Sequence, residues 1–166
     1  MRAPALPVAR RAGRLLAALG AVPLATLAQQ ARKILVIGWL NPGSRSAITG
    51  ASSAFDGLRA GLRTSGYIEG ETIRIEERWA QGKPEALTGL AQDLVQLKVD
   101  IIVAVAPPAV RAAAAATRDL PIVAQDLETD PVASGLVASL AKPGGNLTGL
   151  FLNHAELAAK WLQMVK

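Results

Sequence analysis

The sequence predicts an α/β fold built on an open, doubly wound parallel sheet of five strands. Two continuous apolar runs, KILVIGW at Lys33–Trp39 and VDIIVAV at Val99–Val105, are typical of strands buried on both faces of a parallel sheet. Strand and helix patterns alternate along the chain, which favours right-handed crossovers with helices on both faces. We therefore predict a Rossmann-like sheet with strand order 2-1-3-4-5.

The first half of the chain gives two predicted strands and one helix. After the strand at Lys33–Trp39, the segment Asn41–Ser44 has a loop composition. A helix is predicted over Ala51–Ser65, where Phe55, Leu58 and Leu62 share one face. Thr72–Trp79 alternates apolar and charged residues, as an edge strand does.

The next helices begin at prolines. Pro84 opens a helix whose apolar stripe consists of Leu87, Leu90, Leu94 and Leu97. Pro108 starts a helix over Ala109–Thr117, where five consecutive alanines allow close packing against the sheet. Pro121–Gln125 is predicted as a short fourth strand.

Asp130–Leu150, with the sequence DPVASGLVASLAKPGGNLTGL, is predicted as a capped helix, a glycine-rich stop and a fifth strand. Asp130 is a suitable cap, and Pro131 fits the first helical turn. The strand is predicted at Leu147–Leu150, and a last helix at His154–Lys166. One helical face would hold Val132, Leu136, Val137 and Leu140.

The first 28 residues are predicted to be a secretory signal peptide. Four arginines, Arg2, Arg10, Arg11 and Arg14, precede a short apolar run at Leu15–Leu27, and cleavage is expected after Ala28. The net charge of +5 is concentrated there. Without these four of the 18 basic residues, the rest nearly balance the 13 acidic residues, so a nucleic-acid partner is not expected.

The motifs of common enzymes are absent from the sequence. The loop GWLNPGSRS after the first strand lacks the spacing of a phosphate-binding loop. There is no cysteine, and His154 is the single histidine, which disfavours a catalytic triad or a zinc site. Glu76 and Glu77 should point to opposite faces of a strand, so they are not a facing pair of carboxylates.

A binding site is instead predicted where parallel strands end. Ligands of open α/β sheets bind beyond the carboxyl ends of the strands, which here places Asn41–Ser46, Ala106–Ala109 and Gln125–Glu128 together. The helix near Pro108 would offer backbone N–H groups to a carboxylate. Asp126 either meets a ligand ammonium group or is solvated, and Trp79 either contacts ligand or packs in the core. The predicted site residues are Asn41, Ser44, Trp79, Ala106, Pro107, Pro108 and Asp126.

Three blocks, Ala54–Leu87, Asp93–Val123 and Asp130–Leu150, together resemble the ABC-transporter substrate-binding protein family, whose better-known members bind aromatic amino acids. The resemblance implies a periplasmic protein with two type I-like lobes that passes a small organic solute, such as an amino acid, to an ABC permease without chemistry or a cofactor. It implies that 29–150 forms the N-terminal lobe and that 151–166 begins the connection to a second lobe, which this sequence lacks. In the family, the loop after the strand Val99–Val105 usually carries Gly-Thr or a Ser-type residue before its proline. This chain has Ala106 before Pro107 instead.

Two alternatives to the solute-binding interpretation remain open at the level of sequence. One is a small exported α/β hydrolase-like or nucleotide-using enzyme. The other is an interaction or sensor-partner module that needs no ligand. An uncovered face that includes Phe151, Leu152 and Trp161 would favour self-association.

Overall fold

The five strands form one parallel sheet in the order β2-β1-β3-β4-β5, as predicted. The computed structural model describes residues 33–47, 54–152 and 154–164, all within the compact unit Arg32–Lys166. The predicted signal peptide lies outside these residues. The strands are β1 Leu35–Asn41, β2 Ile73–Trp79, β3 Ile101–Val105, β4 Ile122–Asp126 and β5 Leu147–Phe151.

Within the described residues, four helices accompany the sheet: α1 Ala54–Thr64, α2 Leu87–Gln96, α3 Ala106–Ala116 and α4 His154–Met164. Single 3₁₀ turns occur at Arg45–Ala47 and Pro84–Ala86. Among the described residues, no helix combines the length and apolar character needed to cross a membrane.

Helices cover both faces of the sheet, as the alternation of side chains along β1 shows. A Cβ on Gly38 would lie 3.1 Å from the methyl groups of Leu94 in α2, so Gly38 faces α2. The neighbouring residue Trp39 points the other way and packs against Phe55 of α1, with the two rings tilted by 59°. Two alanines of α3, Ala109 and Ala113, are fully buried on the α2 face. Their small side chains bring that helix close to the strands.

The helix predicted between Asp130 and the stop at Pro143–Asn146 is wrong, because the segment after Asp130 forms turns. Asp130 does act as a cap, since its Oδ1 accepts the N–H groups of Val132 and Ala133 at 2.9 and 3.0 Å. Gly135 then adopts a left-handed φ of 71° and ends the single turn. Leu140 is 74% exposed and Val137 is buried, so the predicted apolar face does not form.

The last strand depends on a glycine. Gly149 of β5 lies beside Ala124 of β4 with a φ of 154°. A Cβ at this position would lie 2.0 Å from the carbonyl oxygen of Ala124, inside the backbone of the neighbouring strand. Only glycine therefore fits at this point of the sheet.

Candidate functional site

The carboxyl ends of β1, β3 and β4 lie side by side, because these strands are parallel neighbours in the sheet. We call this side of the molecule the carboxyl edge. It carries the loop after β1, the start of α3 directly after β3, and the turn after β4. The topology therefore brings the three predicted site loops to one side of the lobe.

The loop after β1 is held by hydrogen bonds on both sides. Asn41 is 5% exposed, and its Oδ1 accepts the N–H of Gly43 at 2.8 Å. Its carbonyl oxygen accepts the N–H of Ala80, which follows β2, at 2.9 Å. Ser44 lies further along the loop, with its Oγ 3.4 Å from that of Ser46. Asn41 therefore shapes the loop, while Ser44 lies on its half-exposed part.

The junction of β3 and α3 contains a strained residue. Ala106 has a φ of 67°, in the left-handed region that costs a residue with a Cβ about 1–2 kcal/mol. Pro107 and Pro108 follow in the first turn and have no N–H to donate. The helix N-terminus therefore offers fewer backbone donors than a helix start without proline would.

Asp126 is fully buried at the end of β4. Its Oδ1 accepts the N–H groups of Glu128 and Thr129, both at 3.0 Å. Its Oδ2 is also buried and has no hydrogen-bond partner among the described residues. The carboxylate thus shapes the turn with one oxygen and leaves the other oxygen unpaired, while the side chain of Glu128 is exposed to solvent.

An aromatic cluster, which consists of Trp39, Phe55 and Trp79, lies beside the carboxyl edge on the α1 face. The ring centroids are 5.0 Å apart for Trp39 and Phe55, 6.1 Å for Trp39 and Trp79, and 5.8 Å for Phe55 and Trp79. Trp39 is 1% exposed, and its Nε1 has no partner among the described residues. Trp79 is half-buried: it packs against Trp39 and Phe55, and it lies at the carboxyl end of β2.

Glu77 connects this cluster to the loop after β1. Its Oε2 accepts the indole N–H of Trp79 at 2.8 Å, and its Oε1 lies 2.8 Å from a guanidinium nitrogen of Arg45. The guanidinium carbon of Arg45 lies 5.7 Å from the ring centroid of Phe55. Sequence reasoning missed Glu77 and Arg45. The strand alternation contained the signal for Glu77, since it places that residue on the same face as Trp79.

A separate groove of about 460 Å³ lies between α1 and the start of the edge strand β2. Because Ile73 begins β2, this groove lies toward the opposite end of the strand from the carboxyl edge. Its lining mixes two arginines with apolar side chains. The lining residues are Arg59, Arg63, Tyr67, Ile68, Glu69, Ile73 and Ile75.

The residues considered for chemistry are dispersed. His154 is exposed at the start of α4. Glu76 and Glu77 point to opposite faces, as predicted: Glu76 pairs with Arg74 at 2.9 Å, and Glu77 pairs with Arg45. In the part of the chain that the structure describes, no group of three His, Cys, Asp or Glu side chains could hold a metal ion.

An open parallel sheet of this order, with helices on both faces, is the fold of one lobe of the periplasmic binding protein class. The chain belongs to the family of ABC transporter substrate-binding proteins, whose model matches residues 48–166. It is 41% identical over 93 residues to a tyrosine-binding protein of Clostridioides difficile, a match that covers 56% of this chain and 27% of that protein.

Solved structures show the same fold and a similar sequence. A domain from Streptococcus pneumoniae in complex with L-Trp is 31% identical, with a TM-score of 0.62, and the match covers 71% of this chain and 38% of that one. A Vibrio cholerae protein is 32% identical, with a TM-score of 0.65 and coverages of 76% and 43%. The ligand-free, open CD0873 of Clostridium difficile is 33% identical, with a TM-score of 0.58 and coverages of 70% and 38%. The chain thus spans less than half the length of these relatives.

Proposed function

We propose that this chain is a solute-binding lobe of an ABC import system and that a small organic solute binds at its carboxyl edge. Aromatic amino acids are the first class to test, because one relative is named for tyrosine and another holds L-Trp. The family consists of substrate-binding proteins, which agrees with a role in binding rather than catalysis.

The observation that carries the proposal is a pair of buried polar atoms next to this edge. Neither the Nε1 of Trp39 nor the Oδ2 of Asp126 has a hydrogen-bond partner among the described residues. A buried polar group without a partner costs about 1–3 kcal/mol. A solute, or a water held with the solute, would supply the missing partners, and this relief would favour binding at the edge.

We further propose that a second lobe completes the site. Periplasmic binding proteins close around their ligands by hinge motion between lobes, and the relatives are more than twice as long as the matched region. The solute would then contact this lobe through Ser44, the backbone at Pro107–Pro108, and Asp126. Asn41 and Ala106 would shape the loops, and Trp79 would form the wall on the α1 face.

Export to the periplasm and a permease partner belong to the same proposal. Residues 1–28 would act as a cleaved signal peptide, which the arginines and the apolar run of that segment support. N-terminal sequencing of periplasmic material should find a mature protein that begins near Gln29. Material that still begins at Met1 would contradict the cleavage.

The site can be tested by titration of the 166-residue chain with L-tryptophan and L-tyrosine, followed by NMR of the backbone amides. We expect shifts of the amides in 41–46, 106–109 and 125–129, apart from the prolines, which have no N–H. The dissociation constant should be millimolar, because one lobe supplies about half of the contacts of a micromolar site. Arg63→Gln, in the groove between α1 and β2, is the control and should leave the affinity unchanged. Shifts centred on that groove would refute the site, and a constant below about 10 μM would refute the need for a second lobe.

An interaction module without a solute remains the second candidate, since one group of apolar residues is exposed. Trp161 is 57% exposed and Leu162 72% exposed on α4, and Leu152, just after β5, is 37% exposed. Such surfaces promote association. Sedimentation of the same sample, with and without L-tryptophan, separates the candidates: an oligomer that binds no amino acid supports the interaction module, and a monomer at high concentration contradicts it.

A further inference from the structure

Glu77 joins two parts of the molecule that the sequence separates by more than 30 residues. One oxygen of its carboxylate receives the indole N–H of Trp79 at 2.8 Å, and the other lies 2.8 Å from Arg45. The side chain of Glu77 is 20% exposed, whereas that of Arg45 is 61% exposed. The carboxylate is therefore the inner, fixed member of the pair, and the arginine reaches it from the loop after β1.

The cation of Arg45 is held on two sides. Besides the carboxylate, the ring of Phe55 lies 5.7 Å from the guanidinium carbon, within the range of a cation–π interaction. At the start of the loop, the carbonyl oxygens of Asn41, Pro42 and Gly43 accept N–H groups from 80–82, and the N–H of Gly43 bonds to Asn41. Further along the loop, the ion pair between Arg45 and Glu77 ties the loop to strand β2.

We propose that Glu77 is a positioning residue for solute binding: through Arg45 it holds the loop that carries Ser44 against the aromatic cluster. The inference rests on the proposed function for its effect on affinity. Its effect on the loop does not depend on any solute. A loop that is already fixed before binding lowers the entropic cost of binding. Loss of the ion pair between Arg45 and Glu77 should therefore weaken binding without removing a contact to the solute.

The loop can be measured directly, because trypsin cleaves the bond between Arg45 and Ser46. Glu77→Gln keeps an oxygen for the indole of Trp79 but removes the charge that holds Arg45. We expect cleavage after Arg45 to become about threefold faster, the size expected for a partly exposed ion pair. Cleavage after Arg111, inside α3, reports global unfolding and should stay much slower than cleavage after Arg45 in both proteins, which shows that the loop opens locally.

Glu76→Gln provides the matched control. It removes the same charge from the adjacent residue of β2, where the carboxylate pairs with Arg74 on the other face of the sheet. This variant should leave the cleavage rate after Arg45 at the wild-type value. Equal acceleration by Glu76→Gln and Glu77→Gln, or no acceleration by Glu77→Gln, would overturn the proposal.

Affinity for L-tryptophan gives the second measurement. Glu77→Gln and Arg45→Gln should each weaken binding about threefold. The double variant should bind no more weakly than either single variant, because both substitutions break the same ion pair. Additive losses, or faster cleavage with unchanged affinity, would overturn the positioning role. If the wild-type chain binds neither L-tryptophan nor L-tyrosine, the proposed function fails here, and the cleavage rates still decide whether Glu77 fixes the loop.

Discussion

The two ends of the sheet treat their polar groups differently. At the amino ends of the strands, Asp100 binds Lys33 with one oxygen and accepts the N–H of Val36 with the other at 2.8 Å. Nearby, the Nδ2 of Asn146 donates to the carbonyl of Leu120 at 2.7 Å. The carboxyl edge, in contrast, has buried polar atoms without a partner in the described part of the chain, and Ala106 there adopts a left-handed φ. The polar side chains named at the amino end are thus paired, while the carboxyl edge has unmet hydrogen bonds of the kind found at binding sites.

The largest effect should come from the buried carboxylate of the carboxyl edge. Asp126→Ala removes the acceptor of two N–H groups and should destabilise the chain by about 2–3 kcal/mol. Asp126→Asn keeps an acceptor and removes a buried charge that has no cationic partner among the described residues, so the stability of this variant should stay within about 1 kcal/mol of wild type. Urea unfolding of both variants measures the difference. Equal losses would mean that the charge itself stabilises this end, and the contrast between the two ends would fail.

A smaller effect of opposite sign is expected at the strained junction. Ala106→Gly should stabilise the chain by about 1 kcal/mol, because glycine adopts a positive φ without the penalty of a Cβ. Ala114→Gly, the same exchange in the interior of α3, should destabilise by about 1 kcal/mol. Urea midpoints of the pair test the sign. If both variants lose stability, the backbone at Ala106 stores no strain.

The smallest effect belongs to the amino end and depends on pH. The Lys33 ammonium and the N–H of Val36 lower the pKa of Asp100 below its ordinary value. Folding therefore favours the charged form, and the resulting stability is full above the unfolded pKa of about 4 and is lost as the pH falls through the lower folded pKa.

Two variants at this end check the sign. Asp100→Asn should have a lower melting temperature than wild type at pH 7. The difference in melting temperature should narrow as the pH falls below about 4. Lys33→Gln removes the main cause of the lowered pKa of Asp100. The difference in melting temperature between this variant and wild type should also narrow as the pH falls. Thermal unfolding at several pH values measures both. A gap that widens in acid would contradict the direction of the shift.

Much of the fold follows from local sequence signals. The continuous apolar runs located β1 and β3, and the alternation at 72–79 located the edge strand β2 with its two glutamates on opposite faces. The predicted strand order is confirmed. It could be predicted because the connections between parallel strands permit few arrangements. The failed helix at 130–140 had the spacing of a helix, but the left-handed Gly135 ended it after one turn.

The site was less accessible to sequence reasoning than the fold. Topology alone placed Asn41, Ala106 and Asp126 at one edge, and the structure agrees. The link between Arg45 and Glu77 depends on how a loop folds back over a strand, and no periodic pattern encodes that contact. The strain at Ala106 was also hidden, because alanine is a good helix former and its backbone angle is imposed by the turn. Solute contact by the seven predicted residues stays a prediction.

Gly149 fixes the alignment of β5 on β4 and so the position at which the chain leaves the sheet. A shift of β5 by one residue would bring the side chain of Thr148 or Leu150 against the backbone of Ala124, where not even a methyl group fits. The pairing of the last strand can therefore take one alignment only. Whatever follows β5, beginning with α4, leaves the sheet from a position set by the absence of a single side chain.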